Sequence, residues 1–590
     1  MLLDPRLDAP EAALLAAVSA DELMDLTAEV SAEVRLSGSP EELRALERAE
    51  ARLRAWGFRT RMLRHDAYIS LPGPASLAVA GVGALECITH AFAVSTPPEG
   101  MTAEVVDLGA GAPADWAAAD VRGRIALVDG LATPEMARRA RLAGSAGQIF
   151  INGAQLHEMI LSPVWGSPTA EELSLYPQAP AASVRAADGA RIRAALAAGP
   201  AQATLVTTVE TGWRTLPLLQ ADLDGPPDDR SFVLFAGHID SWHYGAMDNG
   251  SANATMLHLS RLLAERRDQL RRGLRVCFWS GHSHGRYAGS AWYVDSHWDE
   301  LRRRCAAYVN IDSVGGQGAT LLTEGYCMAE TFGLGREVIG RYGGQEYLGG
   351  RVGRAGDESL VGVGVPALLM TVSEQPATGD AAGAASVIGG RSGGLGRWWH
   401  TPDDTLDKLD PALLARDARL YAATIFRLCA EPLLPLDYAA AAAELDDLVA
   451  GYQARLGERF DLGAARAQSQ ALRAEAAALE QSLGKLREGM VAYKGDPSSL
   501  ADLNAGLMAL GRATIPLNYT AAGPFGHDTA LAVPPLPLLA AADALAAAPE
   551  GSDAARHAAV GLRRGLNQVA FGLEAARAAV ARVHAVLGDL

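Results

Sequence analysis

The sequence contains few cysteines, and their arrangement does not indicate a disulfide framework. The chain has 590 residues and five cysteines, which are Cys87, Cys277, Cys305, Cys327 and Cys429. Their number is odd, and no two of them form a Cys-x-x-Cys pair. We therefore expect reduced cysteines that lie in the protein core.

The sequence also lacks signals for export and for membrane insertion. Its first residues, MLLDPRLDAPEAALLAAVSADELMDL, contain no basic start followed by an apolar run and a cleavage site. No apolar stretch approaches the roughly 20 residues that a membrane-spanning helix needs. We therefore predict a cytoplasmic protein that has no membrane partner.

Basic residues are too few for a nucleic-acid-binding surface. The chain has 52 Lys and Arg against 69 Asp and Glu, which gives a formal net charge of −17. Binding to phosphate backbones depends on clustered positive charge. We therefore expect no nucleic-acid partner, while the acidity by itself says nothing about the substrate.

The length requires more than one domain, because single hydrophobic cores rarely grow beyond roughly 250–300 residues. Strands and helices alternate in 215–435, which predicts an α/β fold with a mostly parallel sheet and helices on both faces. Short β-rich pieces separated by Gly and Pro occupy 76–214, and we interpret them as an inserted domain. Residues 1–75 would then be the N-terminal part of the α/β domain. Residues 436–590, rich in Ala, Leu and Glu, predict a helical domain, with helical periodicity in 438–486, 499–511 and 553–587.

The first residues after position 10 show the pattern of amphipathic helices. Ser39 precedes Pro40 and two glutamates, which is typical of a helix N-cap followed by the first helical turn. Apolar residues then recur at helical spacing until Gly57, which predicts the end of the helix. Two short strands are predicted after it, around Arg59–Leu63 and at Tyr68–Leu71.

One apolar strand is followed at once by polar residues that suit a metal ion. A strand is predicted at Phe232–Ala236, and the stretch FAGHIDSWHYGAMDNGSANATM continues it with His238, Asp240 and Asp248. His238 places an imidazole at the carboxyl end of the strand, and Asp240 points the same way. Asp248 lies in a glycine-rich turn, where the backbone can approach an ion closely. We therefore predict a metal site at this strand end.

Further imidazole and carboxylate groups follow other elements of the same region. They are His282 and His284 after a strand at Arg275–Trp279, Asp312 after a strand at Ala307–Ile311, and His400 in RWWHTPDDTLDKLD. The glycine-rich stretch from Gly379 to Gly396, which precedes His400, is interpreted as a flexible or substrate-facing loop. In parallel sheets, functional groups gather at the carboxyl ends of the strands. A single His or Asp there is often only a hydrogen-bonded residue, so the recurrence is what favours a metal. These ligand types suit a divalent ion, with zinc preferred, and two neighbouring ions would need a bridging carboxylate.

At this point the motifs resemble a known family. The series GHIDSW, GAMDNGSA, RVCFWSGHSHGRYAGSAWY, NIDS and WWHTPDDTLDKL is similar to the co-catalytic zinc metallopeptidases of the aminopeptidase Y and bacterial leucyl aminopeptidase group. The layout resembles the branch of glutamate carboxypeptidase II and the transferrin receptor. That resemblance implies a zinc exopeptidase-like fold, an inserted protease-associated domain and a C-terminal helical domain that forms a homodimer.

The resemblance also implies roles for individual residues. His238 and Asp312 would bind one ion, Asp248 would bridge two ions, and His400 would bind the second. Asp240 would act in catalysis by orienting His238 through the other ring nitrogen, as carboxylates beside metal-bound histidines do.

One family motif is changed in this chain. The family has Gly-Glu-Glu-x-Gly after its second strand, where the first Glu is the general base and the second a metal ligand. Here the loop reads Gly281-His282-Ser283-His284-Gly285. Counted from the strand, His282 takes the place of the base and Ser283 that of the ligand. Counted back from the next helix, His284 takes the place of the ligand, and the sequence leaves both alignments open.

These observations predict a metal-dependent hydrolase that cleaves an amide bond in a small peptide through a metal-bound water. His282 would be the catalytic base, because an imidazole suits proton transfer near neutral pH. Arg286 and His527 are candidate substrate-binding residues, with ordinary surface positions as the alternative. Two other hypotheses are a metal enzyme for a non-peptide substrate and a non-catalytic scaffold. His157 and Glu158, isolated in the inserted region, are interpreted as surface residues.

Overall fold

The structure is a computed structural model that describes residues 3–376, 393–489 and 497–588. The strands in these residues are β1 (Arg59–Val79), β2 (Gly83–Leu85), β3 (Ile88–Thr89), β4 (Met101–Asp107), β5 (Ile125–Asp129), β6 (Gly147–Ile151), β7 (Ala181–Val184), β8 (Gln202–Leu223), β9 (Phe232–His238), β10 (Gly273–Trp279), β11 (Cys305–Asn310), β12 (Tyr326–Cys327), β13 (Gly350–Arg351), β14 (Ala367–Leu368), β15 (Gln375–Pro376) and β16 (Gly393–Gly394).

The α-helices of the described residues are α1 (Asp8–Ala16), α2 (Ala20–Val30), α3 (Pro40–Ala55), α4 (Pro113–Ala118), α5 (Pro134–Ala143), α6 (Ala186–Ala198), α7 (Ala252–Ala264), α8 (Ala288–Arg304), α9 (Ala329–Val338), α10 (Pro411–Ala430), α11 (Tyr438–Leu456), α12 (Gly463–Gly489), α13 (Pro497–Tyr519), α14 (Ala541–Ala547) and α15 (Asp553–Gly588).

The centre of the fold is a mixed sheet in which β9 lies between β10 and β11. Both neighbours run parallel to β9, and β14 continues the parallel arrangement beyond β11. Every residue of β9 is buried. Val233 and Phe235 pack with α7 and α10 on one face, whereas Leu234 and Ala236 pack with α8 on the other. Because β9 is covered on both faces, its sequence is a continuous apolar run. The predicted α/β fold with a mostly parallel central sheet and helices on both faces is confirmed.

Two long antiparallel strands connect the central sheet with the inserted region. β1 and β8 pair from Arg59↔Asp222 to Val79↔Ala203, with a bulge between Pro72 and Ala75. The sequence predicted two short strands where β1 is continuous. The expected boundaries at 75/76 and 214/215 fall inside these strands, and the division into domains stays a prediction. Beyond them, β4, β5, β6 and β7 form a parallel series with α4, α5 and α6.

The N-terminal helices cover one face of the sheet. The predicted cap is present, because Ser39 accepts a hydrogen bond from the Glu42 amide at 3.1 Å and α3 begins at Pro40. Leu46 and Leu53 of α3 are fully buried in the same core cluster as Phe235. The amphipathic pattern of α3 therefore fixes the face on which it packs.

The C-terminal region is helical, as its composition predicted. The apolar pattern over 438–486 belongs to two helices, α11 and α12, because the chain turns at Gly457 with φ +55°. A continuous pattern spans this break because both helices bury one face in the same core. Most of the glycine-rich stretch from Gly379 to Gly396, which was predicted to be a flexible or substrate-facing loop, lies outside the described residues.

Two expectations about the whole chain can be compared with the described residues. All five cysteines are free, and four of them are buried. Among the helices that the structure describes, none is both long and apolar enough to cross a membrane.

Candidate metal centre

The turn after β9 brings Asp248 back to the end of that strand. Residues Ala246–Ser251 form an irregular turn before α7, with non-helical backbone angles at Asp248 and Asn249, and all six are buried. Gly245, at φ +55°, precedes the turn, and a Cβ there would lie 2.3 Å from the carbonyl oxygen of Asp248. Only glycine fits such an approach without displacing the backbone. The glycine of the GAMDNG motif thus allows the turn that positions Asp248.

His238, Asp248 and Asp312 converge on one point at the carboxyl ends of β9 and β11. His238 Nε2 lies 3.1 Å from Asp248 Oδ1 and 3.6 Å from Asp312 Oδ2. His238 Nδ1 makes a hydrogen bond of 2.9 Å with the main-chain carbonyl of Asp240. That contact leaves Nε2 as the nitrogen directed at the two carboxylates. The predicted convergence of these three side chains is therefore present.

His400 approaches the other oxygen of Asp248. Its Nε2 lies 3.0 Å from Asp248 Oδ2, while Oδ1 of the same carboxylate faces His238. The carboxylate thus spans two imidazoles through its two oxygens. This arrangement fits the bridging role that the family resemblance implies for Asp248.

His282 joins the cluster through its ring face and its hydrogen bond. Its ring stacks on that of His238, with centroids 3.8 Å apart and planes at 12°. Its Nδ1 lies 2.8 Å from Oδ2 of Asp357, a buried carboxylate. A carboxylate behind a histidine fixes the ring and leaves the other nitrogen for a metal or a proton.

The donor set fits a divalent ion. One ligand atom from each of His238, His282 and Asp312 lies within 4.8 Å of the others. In addition, His238 Nε2 and Asp248 Oδ1 are buried and lie 3.1 Å apart, yet neither atom makes a hydrogen bond. Buried polar atoms without partners are rare in folded proteins. Imidazole and carboxylate are ligands that zinc prefers, so a cation accounts for these atoms.

The charges of the cluster change the pKa of its members. Burial opposes protonation of His238, but Asp312 and Asp248 outweigh that effect and raise its pKa well above the ordinary value. Burial favours the neutral acid form of Asp248, yet its contacts with His238 and His400 hold its pKa far below the usual range. A cation bound here would take the place of the proton on His238.

Asp240 organises the altered loop rather than facing the cluster. Its Oδ2 accepts hydrogen bonds from the Ser283 amide at 2.8 Å and from the Ser37 hydroxyl at 2.6 Å. Its Oδ1 accepts the His282 amide at 3.3 Å and lies 3.7 Å from His238 Nδ1. The expected contact with His238 is therefore made by the carbonyl of Asp240, because the carboxylate is used by the loop.

His284 lies on a different side of the loop from His282. Its Nδ1 meets the Ser37 hydroxyl at 2.9 Å and is 3.9 Å from Asp240 Oδ2. The ring packs against Trp242 with centroids 4.4 Å apart. Burial lowers the pKa of His284 to about 4, so this ring is neutral. The structure thus brings His282, and not His284, into the group around His238.

The two candidate substrate-binding residues make their hydrogen bonds and ion pairs with residues outside the cluster. Arg286 is buried, and it donates from Nε to the Ser162 carbonyl at 3.1 Å and from Nη2 to the Ile160 carbonyl. His527 lies in the loop after α13, with Nε2 3.0 Å from Asp295 Oδ1. A role for either in substrate binding stays a prediction.

Asp404 supports the turn that carries Asp248. Its two carboxylate oxygens accept the amides of Met247 at 2.9 Å and Asp248 at 3.0 Å. Burial raises its pKa to about 7. The motif HTPDDTLDKL does not reveal this role of Asp404, because the partner segment lies 156 residues away in the sequence.

His157 and Glu158 were interpreted as surface residues, and that interpretation is wrong. His157 is 3% exposed, and its Nδ1 makes a hydrogen bond of 2.6 Å with the Trp399 carbonyl. The Glu158 carbonyl accepts from His400 Nδ1 at 2.7 Å, and the Glu158 amide donates to the His400 carbonyl at 3.0 Å. The inserted region therefore touches the metal centre, which no local sequence signal indicated.

Comparison with known families agrees with the position of this cluster. Residues 220–425 match the model of Peptidase family M28. This segment contains the metal-centre residues His238, Asp248, His282, Asp312 and His400. The match supports a metallopeptidase-like hydrolase that cleaves peptide bonds.

Relatives and solved structures extend the similarity over most of the chain. A probable glutamate carboxypeptidase of Zea mays is 24% identical over 491 residues, which cover 70% of this chain and 67% of the relative. An aminopeptidase from Aneurinibacillus sp. strain AM-1 has a TM-score of 0.54 at 22% identity, covering 71% of this chain and 96% of its own. A zinc aminopeptidase from Bacillus subtilis has the same TM-score at 19% identity, with 70% and 96% covered. These structures share the fold of this protein.

Proposed function

We propose that this protein is a metal-dependent hydrolase that cleaves an amide bond in short peptides, with zinc as its ion. The observation that carries the proposal is the convergence of His238, Asp248 and Asp312 within a region that matches a peptidase family. The resemblance to zinc aminopeptidases favours zinc, and the donor set is compatible with it.

The first ion would be held by His238, His282 and Asp312, together with one oxygen of Asp248. An ion bound there supplies Lewis-acid polarisation of the scissile carbonyl and a more acidic water. Asp357 supports this role of His282, because it occupies Nδ1 and leaves Nε2 free. On this proposal His282 is a ligand, and its prediction as the general base is the alternative.

The second ion position has fewer ligands. His400 and the other oxygen of Asp248 face it, and His284 is engaged by Ser37 instead. The family has a glutamate ligand for this ion in the loop that corresponds to Gly281–Gly285. This chain has no carboxylate in that loop, so the site has one negative charge fewer. We therefore propose one tightly bound ion and one that binds weakly.

The remaining assignments follow from the family layout. We propose that 76–214 is a protease-associated-like domain, that 436–590 supports a homodimer, and that the protein acts in the cytoplasm. Val560 and Phe571 on α15 are 52% and 76% exposed and lie about three helical turns apart, hence on one face. A second subunit that packs on this face of α15 would bury both side chains. Light scattering that gives twice the 61.8 kDa chain mass would support the homodimer.

A hydrolysis assay with matched variants tests the proposed function. The zinc-loaded protein and its His238→Ala variant would be given a panel of dipeptides and aminoacyl amides. We expect turnover by the native protein and a loss of at least about 100-fold in kcat/KM for the variant, because the ion loses a ligand. Absence of turnover on the whole panel by the loaded protein would refute the proposal.

The second hypothesis keeps the metal and changes the substrate. Its motivation is the orderly replacement of the Glu-Glu pair by histidines, since Gly281 and Gly285 still frame the loop. Incubating the purified enzyme with a metabolite extract, and measuring which compounds are consumed, distinguishes the peptide hypothesis from the non-peptide hypothesis. Turnover of a non-peptide amide alone would favour the second hypothesis.

A further inference from the structure

One segment of the inserted region is held against the start of α8. Arg286 donates from Nε to the Ser162 carbonyl at 3.1 Å and from Nη2 to the Ile160 carbonyl. In return, the Gly166 amide donates to the Arg286 carbonyl at 2.7 Å. Gly166 is at φ +73°, and a Cβ there would lie 2.7 Å from the Cβ of Ala291 in α8. The inserted region therefore approaches α8 closely at this point.

Trp165 lies in the same segment and is held on both faces of its ring. Its ring centroid lies 4.2 Å from that of Tyr287, and the guanidinium carbon of Arg354 lies 3.7 Å from it. Aromatic pairs and cations over an indole both stabilise such a position. Tyr287 also meets the ring of His282, edge to face, with centroids 4.8 Å apart. Tyr287 therefore contacts both Trp165 and His282.

A chain of four hydrogen bonds, here called the relay, joins the Trp165 indole to His282. Trp165 Nε1 donates to the Ser359 hydroxyl at 2.9 Å, and the hydroxyls of Ser359 and Ser290 lie 2.8 Å apart. Ser290 Oγ donates to Asp357 Oδ1 at 2.7 Å, and Asp357 Oδ2 lies 2.8 Å from His282 Nδ1. The first four members of the relay are at most 4% exposed. Water therefore does not compete for these bonds.

The two ends of the relay fix the direction in which its hydrogens point. An indole N–H can only donate, and a carboxylate can only accept. The Ser359 hydroxyl therefore gives its hydrogen to Ser290, and Ser290 gives its own to Asp357. Another acceptor for Ser290, the Tyr287 carbonyl, is uncharged and lies farther away, at 3.2 Å. Asp357 Oδ2 accepts from His282 Nδ1, so the lone pair of His282 Nε2 remains for an ion.

We propose that Trp165, Ser359 and Ser290 are positioning residues for the first ion, because they orient the carboxylate that holds His282 in the tautomer with its hydrogen on Nδ1. This inference rests on the proposed function and extends its metal centre to the inserted region. That region would set the affinity for the first ion without contributing a ligand. The arrangement belongs to the altered loop, since a glutamate in place of His282 would have no ring nitrogen to orient.

A double-mutant cycle on zinc affinity tests the relay. Trp165→Phe removes the indole N–H and keeps an aromatic ring, and Ser290→Ala removes one hydroxyl. Each should weaken binding of the first zinc ion by roughly 3- to 10-fold, the effect of one hydrogen bond, in competition with a chromophoric chelator. In an Asp357→Asn background neither change should weaken binding further, because the relay acts through that carboxylate. Additive losses in the double variants would show a merely structural role and would overturn the inference.

Trp116→Phe is the matched control. Trp116 lies in the same inserted region, is 8% exposed, and donates from Nε1 to the Gly111 carbonyl at 3.1 Å. The variant loses the same type of hydrogen bond outside the relay, so its zinc affinity should equal that of the native protein. An equal loss in Trp116→Phe, or native affinity in both Trp165→Phe and Ser290→Ala, would overturn the inference while leaving the hydrolase function standing.

The tautomer of His282 separates this inference from the proposed function, because it is measured without an ion and without turnover. Nitrogen-15 NMR of the histidine-labelled, metal-free protein at mildly alkaline pH shows which ring nitrogen carries the hydrogen, with the signal assigned by its loss in His282→Gln. Hydrogen on Nδ1 in the native protein, shared with Nε2 in Ser290→Ala, would support the relay even if no peptide were cleaved. Hydrogen on Nε2 in the native protein would refute it even if zinc binds.

Discussion

At the scale of single residues, His282 and His284 show how two similar side chains in one loop acquire different surroundings. Gly281, at φ +76°, turns the chain directly after β10, and the two rings then lie on different sides of the loop. His282 reaches His238 and Asp357, whereas His284 reaches Ser37. The sequence could be aligned with the family motif either from the preceding strand or from the following helix. It did not decide between the two, because residue type does not determine the path of a tight loop.

The Asp357–His282 contact gives a prediction about metal affinity. Asp357→Asn should weaken binding of the first ion by roughly 10- to 100-fold, because the ring of His282 loses the carboxylate that orients it. Competition with a chromophoric zinc chelator measures this affinity without an assay of turnover. Glu358→Gln is the control, since the buried Glu358 carboxyl makes no hydrogen bond and does not contact His282. An Asp357→Asn protein with native affinity would contradict the ligand role of His282.

His65 gives a prediction about stability and pH. It is 4% exposed, stacks on Trp292 at 4.8 Å, and makes no hydrogen bond through either nitrogen. Burial lowers its pKa to about 4. The unfolded chain, with a histidine pKa of about 6.5, therefore binds more protons than the native protein below pH 6.5. Stability should fall with pH from about 6.5 and level off below about 4.

The variant His65→Phe keeps the aromatic stack and removes the titrating group. Urea unfolding of the metal-free protein should show about 2 kcal/mol less loss of stability between pH 7 and pH 5 in the variant than in the native chain. The same loss in both proteins would show that His65 is not neutral in the folded state.

At the scale of elements, apolar runs predicted the buried strands well and the paired long strands poorly. β9, β10 and β11 were placed correctly because a strand buried on both faces needs an unbroken apolar run. β1 and β8 were not recognised as continuous, because their 21 and 22 residues are held together by pairing between distant segments. That pairing also explains how the inserted region is attached to the central sheet.

The N-cap of α3 gives a prediction at this scale. Ser39→Ala removes the hydrogen bond to the Glu42 amide and should lower the free energy of unfolding by about 1 kcal/mol. Urea denaturation measures the change. Ser482→Ala is the control, because Ser482 lies inside α12 and its hydroxyl bonds only the Ala478 carbonyl of the same helix. A loss no larger than that of the control would contradict the capping role.

At the scale of the whole molecule, the metal centre is assembled from parts that are far apart in sequence. The sequence identified the strand-end ligands, because metal-binding residue types recur there in recognisable motifs. It did not identify Glu158, which lies 242 residues before His400 and in a region without such motifs. A contact between residues so far apart in the sequence depends on how the inserted region packs against the α/β domain. That packing cannot be predicted from composition.

The most direct test of the account is the zinc content per chain. The protein would be purified without added metal or metal-binding tags, and measured by elemental mass spectrometry before and after chelation and reconstitution. We predict that one zinc ion per chain remains after dialysis and that dialysis removes a second. The His238→Ala variant should lose the ion that remains in the native protein. Peptide hydrolysis should disappear on chelation and return with zinc. No bound metal after reconstitution, or an unchanged content in His238→Ala, would contradict the proposed metal centre.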